Sequence, residues 1–389
     1  MVSVAKQNTP ALRFDGFDGE WNVISLSDHA TFSRGKGYSK ADVGTGSYPL
    51  FLYGQLYTNY STEIRSITTF SRMNDDSVVS TGREVLMPAS DVTPTNIVRA
   101  SHLKVPGVLL GGDLNVITPG DGIDPTFLAL ELTGGSSRAE LLNNIQGATV
   151  KHLHLGPIRK LKLVVPSVKE QRAIGELFAD LDALIEQHRA KHANLQQTKT
   201  ALLQRMFPQE GADEPELRIG GFSGVWESRT LSELTAINNG LDYKHLNEGD
   251  IPVYGTGGYM LSVDRALSYE IDAIGIGRKG TIDKPYLLRA PFWTVDTLFY
   301  VTARDGANLQ FLLAQFQRID WKSKNMATGV PSLTSVTIGQ TMVSLPPTLE
   351  EQRAIGEVFS NLDALITAEH RYITQLTQAK TALLQRMFV

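Results

Sequence analysis

The sequence has no cysteine, which excludes disulfides and thiolate-based zinc sites. No apolar run approaches the roughly 18 residues that read as a bilayer span. The opening residues, MVSVAKQNTPALRF, lack the apolar core of a secretory signal. A soluble, cytoplasmic protein with no membrane partner is the expectation. Charge of one dominant sign is also missing: 37 Lys and Arg against 41 Asp and Glu leave a net charge of −4, which argues neither for nor against nucleic acid. Signatures of catalysis are absent as well. There is no Walker A loop, zinc-protease helix motif, nucleophile elbow or Asn/Asp-Pro-Pro-Tyr/Phe of an amino-methyltransferase. No constellation of acid, base, nucleophile or metal ligand is visible, so a non-catalytic chain that binds no cofactor or metal of its own is expected.

What the chain does have is repetition. EQRAIGELFADLDALI at Glu170–Ile185 recurs as EQRAIGEVFSNLDALI at Glu351–Ile366, identical at 13 of 16 positions, and KTALLQRMF at Lys199–Phe207 recurs at Lys380–Phe388. Both pairs are offset by 181 residues. A repeat of this kind sets the architecture before any local reading. Apolar residues at Ile174, Leu177, Leu181, Leu184, Leu195 and Leu202, and at Ile355, Val358, Leu362, Leu365, Leu376 and Leu383, step by threes and fours and predict a heptad seam. Ser167-x-x-Glu170 and Thr348-x-x-Glu351 read as capping boxes, and Pro166 and Pro347 disfavour any earlier start. Each copy predicts one helix of roughly 39 residues, about 58 Å long. His188, Lys191 and Glu369 interrupt the seam. They are either a solvated gap or a polar contact that fixes the register of an antiparallel pair.

A second repeat, offset by 205 residues, opens each globular region: LRFDGFDGEW at Leu12–Trp21 and LRIGGFSGVW at Leu217–Trp226, with Leu26, Gly35 and Tyr38 recurring as Leu231, Gly240 and Tyr243. The plan is therefore domain, helix, domain, helix: residues 1–166, 167–207, 208–347 and 348–389. A hydrophobic content of 42% is enough for a sizeable core in each domain. The domain interiors barely align. Strand-like runs at Val78–Val79, Glu84–Met87, Val108–Leu110 and Leu161–Val165, with a helix at Pro125–Leu132, are expected in the first. In the second they fall at Ala273–Ile276, Tyr286–Leu288, Leu298–Val301 and Thr341–Leu345, with a helix around Leu309–Ile319. The fold class is mixed α/β (α+β): two globular domains separated by two long helices packed as an antiparallel coiled coil with pseudo-twofold symmetry.

Four stretches carry candidate chemistry. GIGRKG at Gly275–Gly280 fits a dinucleotide fingerprint, but Pro285 and β-branched residues follow where a helix is required. A Gly-rich turn, or a loop on which Arg278 and Lys279 meet DNA, are the other readings. YGTGGY at Tyr254–Tyr259 is either a hairpin with core aromatics or a close approach to DNA through Tyr254, Thr256 or Tyr259. Arg34, Lys36, Tyr38 and Lys40 interleave cations, glycine and an aromatic, against the alternative of a solvated basic turn. Tyr243 and Lys244 stand where Tyr38 recurs. Lys151 and His152, with His154 and the nearby Arg159, Lys160 and Lys162, read as a phosphate-facing edge or as a metal pair lacking a third ligand.

Taken together, the duplicated helices, the FDGEW and FSGVW openings, and GRKGTI followed by APFWTVDTLFY at Ala290–Tyr300 resemble the specificity subunit of type I restriction-modification systems. The first domain matches GRKGTI only through Ser80-Thr81-Gly82-Arg83-Glu84. The resemblance implies two target-recognition domains, each reading one half of a split site on double-stranded DNA. It implies helices that act as spacer and dock DNA methyltransferase subunits, two of them, with two restriction subunits. Catalysis would belong to those partners, with S-adenosylmethionine, ATP and Mg on them. Unlike readers predict an asymmetric site, with half-sites of ~3–4 bp and a gap of roughly 6–7 bp if the readers sit about one helical turn apart. A nucleotide-dependent enzyme using GIGRKG and a coiled-coil scaffold outside restriction-modification are the alternatives.

Overall fold

The computed structural model describes residues 8–58, 60–325 and 327–389; the first seven residues assigned to the first domain lie outside this set. The chain forms two compact units. The first runs to Arg189 and includes Arg371–Val389; the second is Ala190–His370. The division falls within both long helices, Val168–Arg205 and Leu349–Met387, so each unit holds half of each.

In the first unit a five-stranded sheet has the order Ala30–Arg34, Leu114–Pro119, Glu84–Pro88, Ser101–Leu103, Glu63–Ile64. The helix Pro125–Gly134 lies against it, buried from Pro125 to Leu132. Burial on all sides explains why PTFLALEL shows no apolar face of its own. Asp124 caps this helix, accepting from the N–H groups of Thr126 and Phe127. In the second unit the sheet order is Thr235–Asn239, Leu298–Ala303, Ala273–Gly277, Tyr286–Leu288, all antiparallel. Its helix Leu309–Arg318 is capped by Asn308.

The interiors that barely align in sequence share a topology. In both, the second strand after the opening pairs with a strand late in the domain, Ala30–Arg34 with Leu114–Pro119 and Thr235–Asn239 with Leu298–Ala303, and that strand pairs in turn with Glu84–Pro88 or Ala273–Gly277. In both, a separate strand runs parallel to a short one: Tyr48–Phe51 beside Leu109–Leu110, and Glu248–Gly255 beside Trp293–Thr294. Of the expected strands, Val78–Val79 makes only an isolated bridge, from Val79 to Leu109. Gly35 and Gly240 recur because a β-carbon at either would sit 1.9 Å from the Gly111 carbonyl oxygen or 2.1 Å from that of Val295.

The repeated EQ-x-x-IG motif docks each domain on its helix. Glu170 is 1% exposed, and both its oxygens accept from Arg13, from Nε at 2.6 Å and Nη2 at 2.7 Å. Arg218 grips Glu351 in the same way, at 2.8 Å twice. That hydrogen bond, outweighing the cost of burial, raises the pKa of each arginine. The capping boxes are thus only half formed. Ser167 Oγ and Thr348 Oγ1 accept from the N–H groups of Glu170 and Glu351, but the carboxylates serve the arginines. Gln171 Oε1 accepts from the Asp124 N–H, and Nε2 donates to the Gly122 carbonyl; Gln352 repeats this with Asn308 and Gly306. A β-carbon at Gly175 would press on Thr126 and Asp124, and one at Gly356 on Asn308 and Phe311, so glycine lets the helix meet each capped N-terminus.

The seam differs from the expected one. Ile174, Phe178, Ile185, Ile355 and Phe359 are buried, and Leu181, Leu195, Leu202, Leu362, Ile366, Leu376 and Leu383 continue the same column half-buried. Leu177, Leu184 and Val358 flank this column half-buried, and Leu365 is 49% exposed. Each helix also buries a face on its domain, with Leu177 and Val358 packing there. Two adjacent apolar columns result, and spacing alone cannot say which is the seam. Facing partners climb on one helix and fall on the other, which makes the halves antiparallel within each unit. In the first unit Asp182 meets Lys380 and His188 stacks edge-on to Tyr372 at 4.5 Å. In the second, Lys199 meets Asp363 at 2.5 Å, Lys191 meets the buried Glu369 at 2.5 Å, and the His192 and His370 rings lie 5.9 Å apart. The polar interruptions are therefore partnered, not a solvated gap.

Each helix end closes onto a domain opening. In the first unit the Leu12 N–H donates to the Arg386 carbonyl, and Phe388 packs with Trp21 and Phe127. In the second the Leu217 N–H donates to Arg205, and Phe207 packs with Trp226, Phe311 and Phe359. Phe207 is fully buried. Phe207→Ala should cost about 3–5 kcal/mol, the range for emptying a buried aromatic site, read as a lower denaturant midpoint for the second unit. A shift below about 1 kcal/mol would show that the closure is not a core contact.

Candidate nucleic-acid interface

In the second unit the YGTGGY stretch is a hairpin, Glu248–Gly255 with Gly258–Val263, turning at Thr256–Gly257. Tyr254 is half-buried between the rings of Tyr259 and Tyr286, while Tyr259 is 63% exposed. Tyr243 packs into the small core under this hairpin, and Lys244 is exposed beside it.

GIGRKG ends the strand Ala273–Gly277 and is followed by a loop, not a helix. Each of its glycines has a local cause. A β-carbon at Gly275 would press on Leu288 and Tyr286, one at Gly277 would lie 2.0 Å from the Thr281 carbonyl oxygen, and Gly280 has φ +88°. The loop's backbone groups turn inward. Arg278 N–H donates to the Thr297 carbonyl, Gly280 N–H to Pro331, and Leu333 N–H to the Arg278 carbonyl. These bonds leave the side chains of Arg278 and Lys279 exposed. The Arg278 guanidinium lies 5.9 Å from the centre of the Phe299 ring. Gly280 faces Thr256 Oγ1, so the structure brings Thr256, Arg278 and Lys279 together.

In the first unit the corresponding loop follows Glu84–Pro88, since that strand takes the place of Ala273–Gly277. Leu153 N–H donates to the Ala89 carbonyl as Leu333 N–H does to Arg278, and Ser90–Asp91 pairs with Lys151–His152 as Lys279 bridges to Ser332. Ala89 and Ser90 thus stand where Arg278 and Lys279 stand. The cations of the first unit are on the facing strand. This corrects the match through Ser80–Glu84, which precedes its strand. There the buried Glu84 carboxylate accepts from the N–H groups of Thr81, Gly82 and Arg83, and Arg83 donates to the Pro119 and Gly120 carbonyls.

Around this ladder the structure gathers four of the expected groups. Arg34 Nη2 lies 3.2 Å from His154 Nδ1. The His154 ring stacks on His152 at 6.2 Å, with an interplanar angle of 5°. Lys151 Nζ donates to the Gly147 carbonyl. Lys36 and Lys40 are exposed on the loop that follows Arg34. Tyr38 is not a surface group: it is 6% exposed, and its hydroxyl pairs with Ser77 Oγ and accepts from the Asn74 N–H. It braces the loop from beneath. Asn115, which no sequence motif marks, is fully buried and donates to the Leu153 carbonyl.

Exposed cations on loops braced by glycine and buried hydrogen bonds, repeated on a duplicated helix frame, define a DNA-recognition protein. The chain belongs to the type I restriction modification DNA specificity family, whose model matches residues 18–197 and 224–378. It is 19% identical over 403 residues to the specificity subunit of the type I restriction enzyme MjaVIII from Methanocaldococcus jannaschii, covering 94% of this chain and 91% of that one. It shares its fold with the type I restriction-modification S subunit from M. genitalium, with a TM-score of 0.72 at 14% identity over 98% and 99% of the two chains. A chain from a structure addressing assembly and conformational transition of the type I system matches with a TM-score of 0.50, at 16% identity over 95% and 97%. The protein is accordingly a non-catalytic subunit for DNA sequence recognition in a restriction-modification complex, in a family that does not itself bind a cofactor. Among the described residues no helix is long and apolar enough to cross a membrane.

Gly277→Ala should destabilise the second unit by roughly 1–3 kcal/mol, because the added β-carbon forces the backbone to move. It should also weaken DNA binding by displacing Arg278 and Lys279. Unchanged stability and unchanged binding would mean that the loop geometry does not matter.

Proposed function

We propose that residues 1–166 and 208–347 are two readers, each recognising one half of an asymmetric bipartite site. The segments 167–207 and 348–389 are the spacer that sets the gap and docks the partners. Those partners are two DNA methyltransferase subunits using S-adenosylmethionine, and two restriction subunits using ATP and Mg, in the cytoplasm. The observation that carries the reading is the ladder that follows Glu84–Pro88 in the first unit and Ala273–Gly277 in the second. Both units have it, with the same backbone pairing, yet one puts its polar contact groups on the first strand (Arg278, Lys279) and the other on the second (Lys151, His152). A shared scaffold with differently placed contact groups suits two readers of different sequences. Arg34, Lys36, Lys40, Lys244, Tyr254, Thr256 and Tyr259 are the further candidate contacts. The net charge of −4 suits a subunit whose partners supply much of the phosphate neutralisation.

Replacing Leu217–Leu345 with another reader should change one half of the methylated motif and leave the other intact. A change in both halves would end the two-reader model. Within the second reader, Arg278→Ala should cost ~1–3 kcal/mol of discrimination at one base pair. Lys279→Ala should weaken all sequences alike and lower the salt dependence.

The spacer role has its own test. One heptad inserted after His192 and another after Ile373 keeps the seam in phase and adds about 10 Å to each helix. That is about 3 bp at 3.4 Å per step. The variant, expressed with its partners, should methylate the same half-sites with a gap longer by about one to three base pairs. Retained activity at an unchanged gap would show that the helices hold the partners without setting the spacing.

A further inference from the structure

We infer that Arg34 reads a guanine in the half-site of the first unit and that His154 is its positioning residue. The inference rests on the two-reader model and adds to it a residue, a base and a mechanism.

Arg34 ends the strand Ala30–Arg34 and stands opposite Asn115 in the sheet. Gly35 follows, at the crossing where no side chain fits against Gly111, so the chain leaves Arg34 in one direction only. His154 follows the buried Leu153, whose N–H is bound by Ala89 and whose carbonyl is bound by the Asn115 side chain at 2.8 Å. One buried asparagine therefore fixes both backbone positions. Across the gap Arg34 Nη2 and His154 Nδ1 are 3.2 Å apart. A guanidinium only donates, so Nδ1 accepts and the ring's proton is on Nε2. The His152 ring lies parallel on His154 and limits its swing.

The guanidinium is thus held on one side by a single imidazole nitrogen. Among the described residues no carboxylate pairs with it: of the acids at this ladder, Asp91 stands opposite Lys151 and Asp113 accepts from the Ser90 hydroxyl. The other N–H donors of Arg34 meet no protein acceptor among the described residues, and the side chain is exposed. A planar fork aimed in advance matches the N7 and O6 acceptors on the major-groove edge of guanine. A phosphate contact needs no such aim. Lys151 lies on the same ladder, and its ammonium is a point charge suited to the backbone.

The test is selection of bound duplexes from a library randomised over the first half-site. It uses the full chain with its methyltransferase partner at several salt concentrations. Arg34→Ala should remove a preference for guanine at one position, a loss of about 10- to 100-fold, and leave the other positions unchanged. Arg34→Lys should lose the same preference while keeping the overall affinity. His154→Leu should blur that position, and His154→Asn, whose amide oxygen can accept from Arg34, should restore it. Equal thermal midpoints among the four variants would show that each is folded. If Arg34→Ala weakens every sequence equally, Arg34 is a phosphate contact: the inference fails and the two-reader model stands. If His154→Leu leaves the guanine preference intact, the positioning role fails. If Arg34→Ala and Lys151→Ala change neither preference nor affinity in the first half-site, this ladder is not on DNA. The placement of the first reader then falls with the inference.

Discussion

The structure depends on a carboxylate that is taken out of water and given back its hydrogen bonds by one arginine. Glu170 and Glu351 are each 1% exposed. An ionised carboxylate in such a place is costly unless it is paired and fully bonded. Arg13 and Arg218 supply parallel N–H donors to both oxygens, and each guanidinium also donates to a backbone carbonyl of its own opening turn, Gly19 or Gly224. The bond therefore does two things at once. It fixes the start of the helix, and it anchors the first turn of the domain to that start. Hydrogen bonds to charged groups are each worth about 1.5–3 kcal/mol, and loss of either partner leaves a buried charge unmatched. Gln171 and Gln352, one residue on, tie the same helix to the loop that caps the domain's own helix. A slide of the helix would break both attachments together, which is why EQ is repeated without change.

The far ends of the helices complete the clamp. In each unit the sequence RMF at a helix end places its phenylalanine on the tryptophan of the opening motif. Opening, helix start and helix end thus meet around one aromatic cluster, and the residues that recur in the sequence are the residues of that meeting. Between the ends the helix halves are held by pairs of opposite charge, Asp182 with Lys380 and Lys199 with Asp363. A seam of apolar residues alone would tolerate a one-heptad slip. Lysine and aspartate at matched heights do not, because the slipped pairing would bury a charge without its partner.

Much of this was legible in the sequence, and the limits were physical. The helices, the domain openings and most strands could be read because they are local: a period, a proline, a repeated tryptophan. The seam was displaced by one column because Leu177 and Phe178, or Leu184 and Ile185, are equally apolar, and only the packing of helix and domain together buries Phe178 and Ile185 more deeply. The shared topology of the interiors was invisible because buried strands require apolar bulk, not identity. Arg278, Lys279 and Thr256 were found as candidates because glycine marks both loops. Their neighbourhood was not, since it depends on a hairpin and a strand end meeting across more than twenty residues. Tyr38 was misread because a tyrosine beside exposed lysines looks exposed, whereas its hydroxyl is used internally by Ser77 and Asn74.

The equivalence of Ala89–Ser90 with Arg278–Lys279 lay furthest from what sequence could provide, and it bears most on function. Backbone pairing is indifferent to side chains that point away from the core. Two copies of one ladder can therefore exchange a charge between facing strands without altering a hydrogen bond. The frame is intolerant in the opposite sense, because Glu170, Gln171 and Gly175 each fill a position that admits no other chemistry. Recognition and assembly are thus separated by the kind of constraint each residue obeys. Contact groups at the ladder make only local contacts, Lys151 to the Gly147 carbonyl and Arg278 beside the Phe299 ring, and none belongs to the helix docking. Docking groups on the helices are held because the fold uses every polar atom they carry.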